Sequence, residues 1–244
     1  MNLVLTILGA VAVAILLAIV IVKYIPLKLR GLVSIVLLAA SGYLAYLIYQ
    51  GIMEPINFNK DKIARYVKVI DNLKLIRDAE VKYKQVHGEY TNSKDSLIEF
   101  VKNGQLAITE ISNREEEVDK GGGIKIKVSV KQVDTTGYEP VLKYFSGRDF
   151  ENMFSVPGTD KQFDLATSKI EKLPGLMVSV FEAKVSKKPI LKGLSSSLIK
   201  QELEAIETDQ VKGEFVSVGS LLEVTTAGNW PPSYDKAENL EKKD

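Results

Sequence analysis

The residues best suited to chemistry in this chain are few and lie far apart. His87 is the only histidine, and the chain has no cysteine. A lone imidazole could act as a general base, but at the C-terminal end of a helix it also faces the negative end of the helix dipole. The acids among residues 115–119 lack the spacing of a calcium loop. We therefore predict no catalytic residue, no metal site and no cofactor, and we expect a protein that is not an enzyme.

A run of three glycines at 121–123 is the next motif that suggests a ligand. A phosphate loop ends in Gly-Lys-Ser/Thr and leads into a helix, whereas this run precedes residues that alternate like a strand. The charged residues before it, 113–120, are typical of a solvated segment. We therefore predict a loop over both stretches.

Charge is balanced over most of the chain. The sequence has 32 Lys and Arg against 31 Asp and Glu, and the only charges in the first 50 residues are Lys23, Lys28 and Arg30. A nucleic-acid partner would require a concentrated basic face. The composition therefore favours a lipid bilayer and protein partners over nucleic acid.

Two apolar stretches account for the scarcity of charge in those first 50 residues. Residues 3–22 and 31–52 contain no charged side chain, and each has the roughly 20 residues that a helix needs to cross a bilayer. Residues 23–30 hold the three basic side chains and Pro26, whose ring ends a helix. We predict a two-helix transmembrane hairpin with spans at about 3–22 and 31–52 and a basic loop at 23–30.

The basic loop also predicts an orientation. Short loops rich in Lys and Arg stay in the cytoplasm, which places the rest of the chain outside. Lys60, Lys62 and Arg65 lie shortly after the second span and compete with this assignment. The absence of cysteine and of an Asn-x-Ser/Thr site suits a bacterial envelope. We predict a multi-pass protein of the cytoplasmic (inner) membrane of a bacterium with an extracytoplasmic domain.

Small residues recur at helical spacing in both predicted spans. Such residues let helix backbones approach closely in lipid. The pattern fits packing of one span on the other and equally fits assembly with other membrane subunits. The residues concerned are Ala10, Ala14, Ala18, Ser41, Gly42 and Ala45.

Helices are predicted to follow the second span. Residues 53–59 form an extended link in this prediction because Pro55 interrupts the helix. Apolar residues then recur at helical spacing over 60–87, and Gly88 is suited to end that helix. A shorter helix is predicted at 94–102, with Asn92 or Ser93 as its N-cap. Residues 53–104 are thus predicted to be a helical stalk or spine.

The remaining segments favour strands. Residues 124–131 alternate between apolar residues and mostly lysine, so their outer face is either solvated or guards an edge strand against pairing. We predict an α+β fold whose β-rich part, 105–234, is mainly antiparallel, followed by a charged tail at 235–244. Further strands are predicted at 162–167, 176–185 and 214–225, and helical segments at 147–154 and 197–207, the latter with Ser197 as a candidate N-cap.

One segment resembles a known family. Ala79, Tyr83, the Gly88-x-Tyr90 turn and Leu97 resemble type IV pilins and the pseudopilins of type II secretion over residues 60–102. In those proteins a long helix ends at a Gly-x-Tyr turn before a small antiparallel sheet, and the resemblance implies that fold here. The prepilin peptidase site and the early glutamate of pilins are missing, and Thr91 replaces the usual proline. The resemblance therefore concerns the fold of the domain and not polymerisation.

The predicted layout is also similar to that of bacterial signal peptidases, which have two spans and a β-rich outer domain with a Ser/Lys dyad. Their serine lies in a Ser-Met-x-Pro motif just after the second span. This chain has Gly51-Ile52-Met53-Glu54-Pro55 at that place, without a serine. The required nucleophile is absent, so we predict no peptidase activity.

These observations together predict a non-enzymatic, membrane-anchored envelope protein. Its extracytoplasmic α+β domain would scaffold or dock a partner in a secretion, motility or envelope-assembly complex. The alternative is a membrane-anchored ligand-binding or sensory domain. Candidate partner contacts are the exposed strand edges and Trp230, Pro231 and Pro232, although Trp230 is equally suited to the core.

Overall fold

The computed structural model describes residues 2–24, 26–119, 125–204 and 210–235. The chain divides into two compact units, Met1–Asn57 and Phe58–Asp244. Three helices are followed by antiparallel strands with short helices between some of them, which confirms the predicted α+β class.

The first unit is helical. Helix α1 covers Asn2–Tyr24 and helix α2 begins at Leu27, extending to His87. The break falls beside Pro26, as predicted, but it is shorter than the predicted loop. Lys23 lies in the last turn of α1, and Lys28 and Arg30 lie in α2. Pro26 itself is not helical, whereas the three basic residues around it are.

One helix of the described residues is long and apolar enough to cross a membrane, Lys28–His87. Its most apolar window is not buried by any other part of the protein. A shorter apolar helical stretch covers Ala12–Ile21 in α1. A candidate membrane span is therefore present by length and composition, whereas a second span, and with it the hairpin, stays a prediction.

Helix α2 passes through Pro55 without interruption. The predicted extended link at 53–59 is therefore wrong. A proline inside a helix costs one backbone hydrogen bond and a steric contact, about 3 kcal/mol. Helix formation is cooperative, so long helical stretches on both sides can offset a local cost of that size.

The second unit is built around the C-terminal part of α2. One face of this helix is buried at a spacing of three and four residues, as expected of an amphipathic helix. Gly88 ends the helix with a φ of 81°, as predicted from its residue type. The buried apolar side chains of this face are Tyr66, Val69, Ile70, Leu73, Ile76 and Ala79.

Helix α3 covers Lys94–Asn103 and packs Leu97, Phe100 and Val101 into the same core. Ser93 is its N-cap, because its hydroxyl accepts a hydrogen bond from the backbone N–H of Ser96. This resolves the choice between Asn92 and Ser93.

The strands form two separate antiparallel sheets. Strands β1 (Gln105–Asp119) and β2 (Lys125–Pro140) pair only with each other. Strands β3 (Asp164–Leu173), β4 (Leu176–Ser186) and β5 (Phe215–Gly219) form a sheet in the order β3-β4-β5. The inner face of this sheet carries Phe181, Ala183, Val185, Val216 and Val218 into the core.

Short helices connect these strands. A 3₁₀ helix at Val141–Phe145 follows β2, α4 covers Lys187–Ile190, and α5 covers Ser196–Leu203. The prediction of a helix at 147–154 is wrong, since these residues form turns and bends. The N-cap of α5 is Ser195 and not Ser197. Residues 205–209, where the predicted helix would end, and 236–244 of the predicted tail lie outside the described residues.

Candidate docking surface

Strands β1 and β2 form a long two-stranded ribbon, which we call the arm. Their register runs from Gln105 opposite Pro140 to Asp119 opposite Lys125, with one irregularity between Ile108 and Thr109. Strands of 15 and 16 residues are well beyond the usual length of about five or six. Among the described strands, no third one joins them.

The arm is exposed on both faces over the part of β1 beyond Leu106 whose side chains the structure describes. Every side chain from Ala107 to Glu115 is exposed, although successive side chains point to opposite faces of a strand. Ile111 and Val133, which are register partners, are 66% and 59% exposed. Apolar residues paired across a strand and left in water are typical of a surface that another molecule covers.

A groove of about 710 Å³ lies where the arm meets α2. Apolar side chains from both strands and from α2 line it, and Val86, Ile108 and Tyr138 are each exposed. The arm and this groove together form one continuous surface, which we call the docking surface.

Polar groups frame one side of the groove. Glu139 accepts hydrogen bonds from the Tyr144 hydroxyl and from Lys143 Nζ, the latter at 2.9 Å, and these bonds lower the pKa of the Glu139 carboxyl. Lys82 Nζ lies 3.3 Å from the centre of the Tyr144 ring, and burial lowers the pKa of Lys82. Tyr144 thus contacts both the acidic Glu139 and the basic Lys82 at the edge of the groove.

The acidic half of the arm was missed from the sequence. Residues 113–120 were predicted as a loop because they are highly charged, yet 113–119 belong to β1. Cross-strand pairing supplies the physical reason, since Glu117 lies opposite Lys127 and Asp119 opposite Lys125. Opposite charges at paired positions stabilise a ribbon. The sequence signal that could have identified this hairpin is the run of three glycines between an acidic segment and a lysine-rich one.

The second unit also buries a cluster of charged side chains. Glu202 of α5 accepts from Lys62 of α2 at 2.9 Å and lies 3.4 Å from Lys187 Nζ. Lys187 also donates to the backbone oxygens of Glu202 at 2.8 Å and Val211 at 2.6 Å. Tyr66 donates to Glu202 Oε1 at 3.4 Å, and burial raises the Tyr66 pKa.

This cluster is structural. A lysine acts as a nucleophile through a free, accessible amine. Lys187 is 0% exposed, and burial lowers its pKa, but its three N–H donors already have three oxygen partners. The cluster therefore joins α2 to the segment 187–211 and offers no reactive group at the surface.

Glu80 is a second buried acid. It lies on α2 with 0% exposure, and its Oε2 accepts from the backbone N–H of Thr91 at 3.1 Å. Its Oε1 is the one buried side-chain oxygen or nitrogen among the described residues without a hydrogen-bond partner. Burial raises the Glu80 pKa to about 8, so the carboxyl is mostly protonated at neutral pH.

His87 makes local contacts. Its ring stacks on Tyr83 with centroids 4.0 Å apart, and its Nδ1 lies 3.1 Å from the Tyr83 carbonyl oxygen, to which it donates when protonated. This carbonyl belongs to the last turn of α2, as expected of a histidine at a helix C-terminus. The part of the chain that the structure describes contains no group of three His, Asp or Glu able to hold a metal ion.

The predicted packing residues of the spans are exposed where the structure describes their side chains. Ala14, Ala18, Ser41 and Ala45 are exposed. Gly42 is also exposed, and a Cβ built on it would meet no atom within 4 Å. The side chain of Ala10 lies outside the described residues.

The predicted contact at residues 230–232 lies mostly in the core. Trp230 is 9% exposed and Pro231 is buried, whereas Pro232 is exposed. The indole N–H donates to Asp235 at 3.2 Å. The structure therefore favours core packing for Trp230, the alternative that the sequence left open.

Comparison with known proteins adds no relative to this picture. No protein-family model, curated protein or solved structure matches the chain.

Proposed function

We propose that this chain is a non-enzymatic membrane-anchored scaffold that docks a protein partner through the arm. The observation that carries the proposal is the exposure of apolar side chains on a ribbon that leaves the core. Every side chain from Ala107 to Glu115 of the 15-residue strand β1 is exposed, so neither face of this stretch is buried in the structure. A partner that covers Ile111, Val133 and the groove removes this apolar surface from water.

The anchor in this proposal is a two-span hairpin formed by α1 and the apolar part of α2. Lys23, Lys28 and Arg30 lie between the two apolar stretches, so the positive-inside rule keeps this end cytoplasmic. The second unit would then act outside the cytoplasmic membrane of a bacterium. An envelope complex for secretion, motility or assembly would suit such a position.

Site-specific photo-crosslinking in native membranes tests the docking role. A photoreactive amino acid at Ile111 should yield a crosslinked adduct, because this apolar side chain of the arm is 66% exposed. Leu222 provides the matched control, since it is apolar and 87% exposed but lies outside the arm. Equal labelling at both positions, or no adduct at Ile111, contradicts the proposal.

A ligand-binding role is the second candidate. A cleft of about 570 Å³ lies between residues 89–92 and strands β3 and β4, and Thr91 and Ser179 place polar groups in it. Thermal-shift measurements on the full chain in detergent, with sets of envelope-derived small molecules, test this role. A shift that disappears in Ser179→Val would favour ligand binding over docking.

A further inference from the structure

The arm has the structure of a ribbon that needs a further strand. A two-stranded hairpin is marginally stable in water unless further strands or a helix pack on it. The outer parts of the arm, 109–119 and 125–135, belong to a sheet of two strands. Each strand therefore presents one edge on which backbone N–H and C=O groups can pair with another chain.

The two edges have opposite charge. Residues 109–119 of β1 contain five acids and one arginine, whereas 125–135 of β2 contain three lysines and one aspartate. Within one chain the register sets acid against lysine at two positions near the end of the arm, Glu117 opposite Lys127 and Asp119 opposite Lys125, whereas Glu110 lies opposite Asp134. The acidic outward edge of β1 is therefore complementary in charge to the basic outward edge of β2.

We propose that the docked partner is a second copy of this chain, with the acidic edge of β1 beside the basic edge of the neighbour's β2. This proposal rests on the docking role proposed above and names its partner. The two strands would be antiparallel, because β1 and β2 are antiparallel in the ribbon and successive ribbons would point the same way. Acidic and basic strands then alternate across a continuous sheet.

Charge decides between the possible pairings of two arms. A symmetric pairing of β1 with β1 would set acids against acids, and β2 with β2 would set lysines against lysines. Like charges directly opposite each other destabilise a sheet. The mixed pairing is head-to-tail, so it leaves one free edge of each kind and allows more than two copies to join.

The lysines of β2 thus make its edge selective for an acidic strand. Lysine on an edge strand discourages pairing with neutral or basic strands. The same lysines attract a strand with the composition of β1. The arm is thereby protected against unspecific pairing and open to its own copy.

Disulfide crosslinking of the full chain in membranes tests this pairing directly. The native chain has no cysteine, so introduced cysteines are the sole thiols. One tagged chain carries Ser112→Cys on β1, and a differently tagged chain carries a cysteine at one of residues 129–133 on β2. Because like charges on facing edges repel, mixed crosslinks should exceed crosslinks between two Ser112→Cys chains by roughly tenfold, which corresponds to about 1.4 kcal/mol.

Charge reversal provides the control for folding of the arm. Lys125→Glu with Lys127→Glu should abolish the mixed crosslink. When both tagged chains carry these two changes together with Glu117→Lys and Asp119→Lys, opposite charges again face each other within and between the chains, and the crosslink should return. A crosslink that survives the first pair of changes, or fails to return with the second, overturns the mixed pairing.

The remaining outcomes separate this proposal from the docking role. Crosslinks mainly between two Ser112→Cys chains overturn the mixed pairing, and the absence of any crosslink between copies overturns self-pairing. If the photoreactive group at Ile111 then captures a different protein, the docking role stands and only the identity of the partner is wrong. If it captures nothing, both proposals fail.

Discussion

Lys187 shows how a single residue can hold distant segments together. It is fully buried, and it donates to Glu202 and to the carbonyl oxygen of Val211. Removing one partner from a buried charged network leaves the others uncompensated, which typically costs about 3–5 kcal/mol. Lys187→Met should therefore lower the free energy of unfolding by that amount.

Lys188 is the matched control for this change, since it is adjacent and exposed. Lys188→Met should change stability by no more than about 0.5 kcal/mol. Denaturant titration of the full chain in detergent, followed by fluorescence of the single tryptophan, Trp230, measures both variants. Equal effects of the two changes would contradict the structural role of Lys187.

Glu80 predicts a pH dependence of stability. Burial raises its pKa from 4.5 to about 8, so between these values the folded state holds a proton that the unfolded state has lost. Stability then falls as pH rises from about 4.5 to 8 and stays reduced above that range. Glu80→Gln removes this penalty and should stabilise the protein at pH 9 by up to about 4 kcal/mol.

The comparison between pH 5 and pH 9 should use Glu99→Gln as the control. Glu99 is an exposed acid on α3, so its replacement should leave the pH profile of the wild type unchanged. A Glu80→Gln protein with the same profile as Glu99→Gln would show that Glu80 titrates normally. Burial, and after it the charge of Glu80, raises the pKa of Tyr90 above its usual value, so Tyr90 titrates above this range.

Among the structural elements, the turn after β5 depends on one glycine. Gly219 has a φ of 74°, and a Cβ built on it would lie 2.3 Å from the carbonyl oxygen of Phe181 in β4. Gly213 has the same φ, but a Cβ there would meet nothing within 4 Å. Gly213→Ala should therefore lower the free energy of unfolding by about 1–2 kcal/mol through backbone strain. Gly219→Ala should lower it by clearly more.

Denaturant titration of the two glycine variants separates strain from close contact. A larger loss of unfolding free energy for Gly219→Ala would show that Gly219 lies too close to β4 to admit a methyl group. Equal losses would mean that the β4–β5 edge can shift to admit a methyl group.

Elements with a clear period were predictable from the sequence. The amphipathic face of α2, its end at Gly88 and strand β4 follow from residue spacing and residue type alone, whereas the N-cap of α3 was narrowed only to Asn92 or Ser93. Pro55 and β1 were not predictable in this way. In each case a local preference was overruled, by helix cooperativity at Pro55 and by cross-strand charge pairing in β1. The docking surface was likewise not predictable from the sequence, because it includes β1.

For the whole molecule, the testable property is its orientation in the membrane. A cysteine at Ser129 of the arm should react with an impermeant maleimide in intact cells or spheroplasts, whereas a cysteine at Lys28 should react only after permeabilisation. Both residues are exposed in the structure, so burial in the protein would not explain a difference between them. The reverse pattern would place the second unit in the cytoplasm.

The two-stranded structure of the arm predicts that it unfolds locally while the core of the second unit stays folded. Strand β4 lies between β3 and β5, so its amide hydrogens are released chiefly when the core of the second unit unfolds. The arm is a ribbon of two strands and can open without the core, so its amides should exchange with deuterium much sooner. Trp230 fluorescence reports the core and does not detect this opening. A protein that is stable by denaturation would therefore still contain a segment that proteases and chaperones can bind.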